Sequence, residues 1–145
     1  MTNFMLSFVV FIEPSPTQQG ALRILKNKAG KMFVGKMSSS KASKWKREFI
    51  AKVRQHAPAV PLDCPLEIEI GFEYPFLKKH KDDDLDGIIA KTTRPDLDNL
   101  EKMVLDGLVE AGVMKDDALV CSKRSHKLFS SEGPRITIDI SLCTW

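Results

Sequence analysis

Arg94-Pro-Asp-Leu-Asp-Asn-Leu-Glu-Lys-Met-Val-Leu-Asp-Gly-Leu-Val-Glu-Ala-Gly-Val-Met-Lys-Asp-Asp117 is the densest run of the chain, and its periodicity decides how the rest is read. At about 100° per residue, Leu97, Leu100, Val104, Leu108 and Ala111 gather in one stripe, while Asp98, Asn99, Lys102, Asp106 and Glu110 take the opposite side. The pattern predicts a helix from Pro95-Asp96 to about Ala111, stopped by Gly112. Asp96 and Asp98 then stand where the chain enters the helix, so two carboxylates can converge at the positive end of its dipole and bind a hard cation. The plainer reading makes Asp96 a helix cap and Asp98–Lys102 an i,i+4 pair adding about 0.2–0.5 kcal/mol. Asp116-Asp117 is a second acidic pair. From Asp98 to the helix end the rise is roughly 20 Å, so a cluster of Asp96, Asp98 and Asp117 requires Gly112–Lys115 to run back across the helix.

Outward from this helix, Leu66-Glu-Ile-Glu-Ile-Gly-Phe-Glu-Tyr74 alternates apolar and acidic residues with period two, as a half-buried strand does, and Pro75 ends it. Residues 76–93 read as a charged connection. Downstream, Leu119–Phe129 and Arg135–Leu142 read as strands separated by the Ser130–Pro134 turn. Upstream, Phe4–Ile12 is an apolar strand ended by Pro14 and Pro16, and residues 17–36 read as a basic hairpin or mobile loop turning at Ala29-Gly30-Lys31. Ser38-Ser39-Ser40 offers N-caps to a helix running to about His56, with Ala42, Trp45, Phe49 and Val53 on its apolar stripe. No internal repeat is visible. The order β, hairpin, α, β, α, β, β describes one α/β domain over residues 1–145, bordering on α+β, with a small mixed β-sheet covered by two helices.

Composition narrows the class. The chain has 145 residues, 43% hydrophobic and 28% charged, far from the composition of a disordered chain and sufficient to bury a core without covalent staples. Phe4–Ile12 is too short to span a bilayer and carries no export-signal flanks, so a cytoplasmic protein without membrane partners is expected. Cys64, Cys121 and Cys143 are odd in number and widely spaced, and His56, His80 and His126 are scattered, which argues against a disulfide framework, a zinc finger or a nucleophilic triad. The net charge of +3 conceals two opposed parts: residues 1–56 hold 11 Lys or Arg against two acids, Glu13 and Glu48, and the remainder is acidic. A polyanion-binding face beside a carboxylate cluster suits a metal-dependent enzyme acting on phosphodiesters, although a solvated Lys-rich surface is the commoner meaning of the first feature alone.

Arg94-Pro95-Asp96-x-Asp98-Asn99-Leu100-x-Lys102, followed by Asp106, Leu108, Gly112, Asp116-Asp117 and then Lys127, resembles the RusA family of Holliday-junction endodeoxyribonucleases over roughly residues 66–142. The resemblance implies a small α/β homodimer holding Mg²⁺, with Mn²⁺ as a substitute, through Asp96, Asp98 and Asp117. It also implies that Lys102 is required for cleavage and that Asp116 stands beside the metal group. Its expected substrate is branched DNA, in particular four-way junctions. Arg94, Lys91, Lys127 and the basic region from Lys26 to Lys52 are the expected DNA contacts. In the N-terminal half, Pro14-Ser-Pro-Thr-Gln-Gln-Gly20 precedes Lys-rich sequence in place of the family's Arg/Asn-rich stretch.

Two other classes compete. Asp82-Asp-Asp84-Leu-Asp86-Gly87 imitates the start of a calcium loop, but position 12 is Thr93 instead of Glu, and Pro75 and Pro95 leave no room for a helix pair, so a solvated acidic loop is the better reading. A purely binding module would use the Arg23–His56 cations on phosphates, but four carboxylates repel a phosphate backbone unless a cation intervenes. Trp45 and Phe49 have the spacing of a core stripe more than of a base-stacking platform. Paired, opposed incisions need two sites and hence a C2 dimer. Leu105 and Val109, outside the main helical stripe, and the strands Phe4–Ile12 and Ile136–Leu142 are its candidate surfaces.

Overall fold

The computed structural model describes residues 4–15, 21–37, 40–80 and 87–145. Strand β1 (Phe4–Val10) is followed by the hairpin strands β2 (Ala21–Lys26) and β3 (Met32–Met37), then helix α1 (Ser40–Arg54) and strand β4 (Leu66–Pro75). A single 3₁₀ turn (Lys78–His80), strand β5 (Ile88–Ala90), helix α2 (Leu97–Glu110), another 3₁₀ turn (Asp117–Leu119) and the long strands β6 (Val120–Ser130) and β7 (Arg135–Leu142) complete the chain. The fold is α/β: a mixed five-stranded sheet in the order β1-β7-β4-β6-β5, with β4 and β6 parallel and the other neighbours antiparallel. β2 and β3 form a separate two-stranded sheet, so the basic stretch is a hairpin.

Alternation along the strands sets the two faces. Leu66, Ile68, Ile70 and Phe72 of β4, Ile136, Ile138 and Ile140 of β7, and Phe8 and Val10 of β1 are buried against Phe49 and Val53 of α1 and Leu100, Met103, Val104 and Leu108 of α2. The register puts Phe8 beside Ile138 and Ile138 beside Ile70, so rows of apolar side chains cross the sheet beneath the helices. The two helices pack on each other through Gly107: a Cβ there would lie 2.4 Å from Cε1 of the fully buried Phe49. Lys46 and Glu110 close the same contact with a 2.9 Å ion pair.

Several expectations change. β5 lies in what the sequence presents as a charged connection, because three residues without alternation carry no strand signal until Ile88–Ala90 finds Leu128–Ser130. β1 ends at Val10, although Ile12 is still buried. β7 lies between β1 and β4, so Ile136–Leu142 offers no sheet edge for a dimer. The Ser38-Ser39 caps and the Asp82–Asp86 acidic run, with the calcium reading attached to it, lie outside the described residues.

Candidate active site

The approach to α2 is fastened by two lysines. Lys127 on β6 donates from Nζ to the carbonyl oxygens of Thr93 and Pro95, each at 2.6 Å. Lys91 donates from its backbone N–H to the Lys127 carbonyl and from Nζ to Thr93 Oγ1 at 2.7 Å, with its ammonium 4.9 Å from the centroids of the Tyr74 and Phe129 rings. Desolvation by this setting, then the Lys127 charge, lowers the Lys91 pKa. Both lysines, expected to face DNA, thus bond to the segment that leads into α2.

That segment ends at Asp96, the residue preceding the helix, with φ −69° and ψ 143°. Its backbone is a cap: the carbonyl accepts from Leu100 N–H at 3.3 Å. Its side chain is not, since the carboxylate makes no capping hydrogen bond. Asp98, in the first turn, is exposed, as is Lys102 one turn on, and the two form no ion pair. Neither half of the plainer reading is realised. Two solvent-facing carboxylates remain unpartnered at a helix N-terminus, with an unpaired ammonium one turn away. Arg94 is also exposed there.

The other end of α2 closes in a Schellman turn. Gly112 sits at φ +83°, a conformation that only glycine adopts cheaply, Gly112 N–H bonds Val109 O at 3.1 Å and Val113 N–H bonds Leu108 O at 2.9 Å. The chain then turns back alongside Leu62, which donates to Val113 O and accepts from Lys115 N–H, both at 2.9 Å. This return delivers the second acidic pair. Asp116 accepts from Ala118 N–H at 2.9 Å, and that bond, followed by one from Asp117, lowers its pKa. The Asp117 carboxyl is pushed up by its hydrogen bond with Asp116 first, then by desolvation and by the negative charges of Asp116 and Asp106. Asp106, Val109, Glu110, Lys115, Asp116 and Asp117 line one open depression.

Asp117 therefore stands with Asp106, on the third turn of α2, and not with Asp96 and Asp98. Asp98 and Asp106 are separated by roughly 12 Å of helix rise. Among the described residues no three His, Cys, Asp or Glu side chains stand close enough together to hold a metal ion. The donor chemistry is nonetheless right for Mg²⁺: carboxylate oxygens, unbonded at Asp96 and Asp98 and crowded by like charge at Asp117. Sequence reasoning missed Glu101, a buried acid whose carboxylate pairs with Lys123 at 2.6 Å and accepts from Ser125. Its helical angle beside Leu97 and Leu108, at the margin of the apolar stripe, is the signal that it faces β6.

A βαβ crossover that carries exposed acids at both ends of its helix, beside a strongly basic N-terminal third, defines a domain built to bring carboxylates to a polyanion. Residues 12–141 match the family Endodeoxyribonuclease RusA, and the chain belongs to it. It is also 31% identical over 144 residues, 93% of this chain and 94% of the relative, to the "Uncharacterized protein YqaN" of Bacillus subtilis (strain 168). Among the described residues no helix is long and apolar enough to cross a membrane.

Proposed function

We propose that this chain is a Mg²⁺-dependent endonuclease that resolves four-way DNA junctions by paired, symmetric phosphodiester hydrolysis. The observation that carries the reading is the pair of exposed carboxylates, Asp96 and Asp98, left unbonded at the start of α2. Asp96, Asp98 and Asp117 would hold the cation, with Asp116 adjacent. Bound there, Mg²⁺ lowers the pKa of a water and relieves charge on phosphate oxygens. Lys102, exposed one turn beyond Asp98, sets its ammonium where negative charge grows on the phosphate. Lys127 and Lys91 fix the backbone that presents the aspartates.

DNA would be held by the basic N-terminal third. Lys26, Lys28 and Lys31 are exposed at the β2–β3 tip beside exposed Ile24, Met32, Phe33 and Val34, and Lys41, Lys44, Arg47 and Arg54 are exposed on α1. Trp45 is no stacking platform: its ring stacks on Phe49 with centroids 5.2 Å apart, and its Nε1 donates to Glu13 O at 2.8 Å. The test is incubation with a mobile four-way junction and a matched linear duplex, with Mg²⁺ and with chelator. Symmetric cuts in the junction alone, abolished by chelator, are expected; an uncut junction would defeat the reading.

A further inference from the structure

The carboxylates of the proposed site are divided between the two ends of α2, and the elements beneath them are left open on one side. β5 covers β6 only over Leu128–Ser130. From Val120 to His126, among the described residues, the edge of β6 away from β4 has no strand beside it. One stripe of α2 overhangs this edge. Asp98, Lys102, Leu105 and Val109 fall within about 60° of one another on the helix, next to Glu101, whose bonds to Lys123 and Ser125 fix which side of α2 faces β6. Leu105 and Val109 are half-exposed, and Leu105 lines a shallow depression with Asp117, Val120, Cys121 and Lys123.

Charge is graded along this edge. α2 runs opposite to β6, because its start is fastened to Lys127 near the end of β6, while Asp117 lies just before β6 begins. Arg94, Lys102 and Lys127 mark one end; Asp106, Glu110, Asp116 and Asp117 mark the other. A surface with a basic end, an acidic end, an unpaired strand edge and apolar side chains between them is complementary to a copy of itself turned end for end.

Resting on the endonuclease reading above, we infer that a second copy of this chain docks on this edge with β6 antiparallel to β6, and that each catalytic site is completed across the interface. A two-fold axis near Lys123 sets residue 120 of one chain opposite residue 126 of the other. It brings the Asp96–Asp98 end of one α2 beside the partner's Asp117, closing the gap that one chain alone leaves. Asp96, Asp98 and Lys102 of one protomer then act with Asp117, flanked by Asp106, of the other.

Two differently tagged copies, one carrying Asp98→Asn and the other Asp117→Asn, are co-expressed and the mixed dimer isolated. Each homodimer is expected to be inactive, whereas the mixed dimer holds one doubly damaged and one intact site and nicks one strand at about half the wild-type strand-cutting rate. A dimer of wild type with the Asp98→Asn/Asp117→Asn double variant is expected to be inactive. The reverse pattern, an inactive mixed dimer and an active wild-type/double-variant dimer, overturns the proposal. Sedimentation judges the interface independently of cleavage: wild type is expected near twice 16.3 kDa and Leu105→Lys near 16.3 kDa with an unchanged circular dichroism spectrum. A wild-type monomer at micromolar concentration, or a Leu105→Lys dimer, overturns it. If wild type dimerises through this edge but cuts no junction, the endonuclease reading has failed and the interface has not.

Discussion

The Lys127 ammonium donates a 2.6 Å hydrogen bond to the carbonyl oxygen of Pro95, tying the middle of the sheet to the residue next to Asp96 across 32 positions of sequence. A cation on the strand thus sets where the first carboxylate of the helix stands. Lys127→Met keeps the aliphatic stem and removes both carbonyl bonds. Hydrogen bonds to charged groups contribute about 1.5–3 kcal/mol each in buried settings and less in this half-exposed one, so a loss of roughly 1–2 kcal/mol on denaturant unfolding is expected. Cleavage should fall with it while junction binding stays near wild type; a variant that cuts normally would show that the staple does not position the site.

Asp96→Ala separates a metal ligand from a helix cap. A capping aspartate loses about 1 kcal/mol on this change, but Asp96 makes no side-chain cap bond, so the melting temperature should barely move. Junction cleavage should drop on the order of a thousandfold, the scale of removing a few kcal/mol of transition-state stabilisation. Thermal melts and single-turnover cleavage on one preparation distinguish the two roles.

Replacing Lys26, Lys28 and Lys31 by Gln should weaken junction binding and flatten its dependence on salt, by about 0.9 in log–log slope for each phosphate contact removed from duplex DNA. Titrations at several salt concentrations measure this. An unchanged slope would place the DNA elsewhere than the hairpin tip.

Tyr74 is a buried phenol whose Oη has no hydrogen-bond partner, and burial, reinforced by Glu13, drives its pKa well above the usual tyrosine value. Removing an unsatisfied buried hydroxyl recovers its desolvation cost. Tyr74→Phe should therefore leave the protein as stable or more stable by about 1 kcal/mol, measured by denaturant titration, and a clear loss of stability would mean that the hydroxyl has an essential partner.

The helix α2, the strands β4, β6 and β7 and the hairpin were legible because each carries its own period: Leu97 to Ala111 at 3.6, Leu66 to Tyr74 at two. What escaped depended on contacts distant in sequence. Ile88–Ala90 becomes a strand only against Phe129, Lys127 becomes a staple only once Thr93 and Pro95 lie beside it, and Glu101 looks like one more surface acid until Lys123 and Ser125 meet it. The candidate aspartates were read from local residue type. Their distribution over both ends of α2 could not be, since it follows from how Gly112 and Leu62 turn the chain back.

Gly107 has no side chain because Phe49 occupies that space, and Lys46–Glu110 clasps the same junction, so α1 and α2 form one block. Under the proposed reading, the exposed cations of α1 and the aspartates at the start of α2 are then two marks on one ruler. The offset between the phosphates that are gripped and the bond that is cut becomes a length cast into the helix pair, the same for every substrate and unadjustable during turnover.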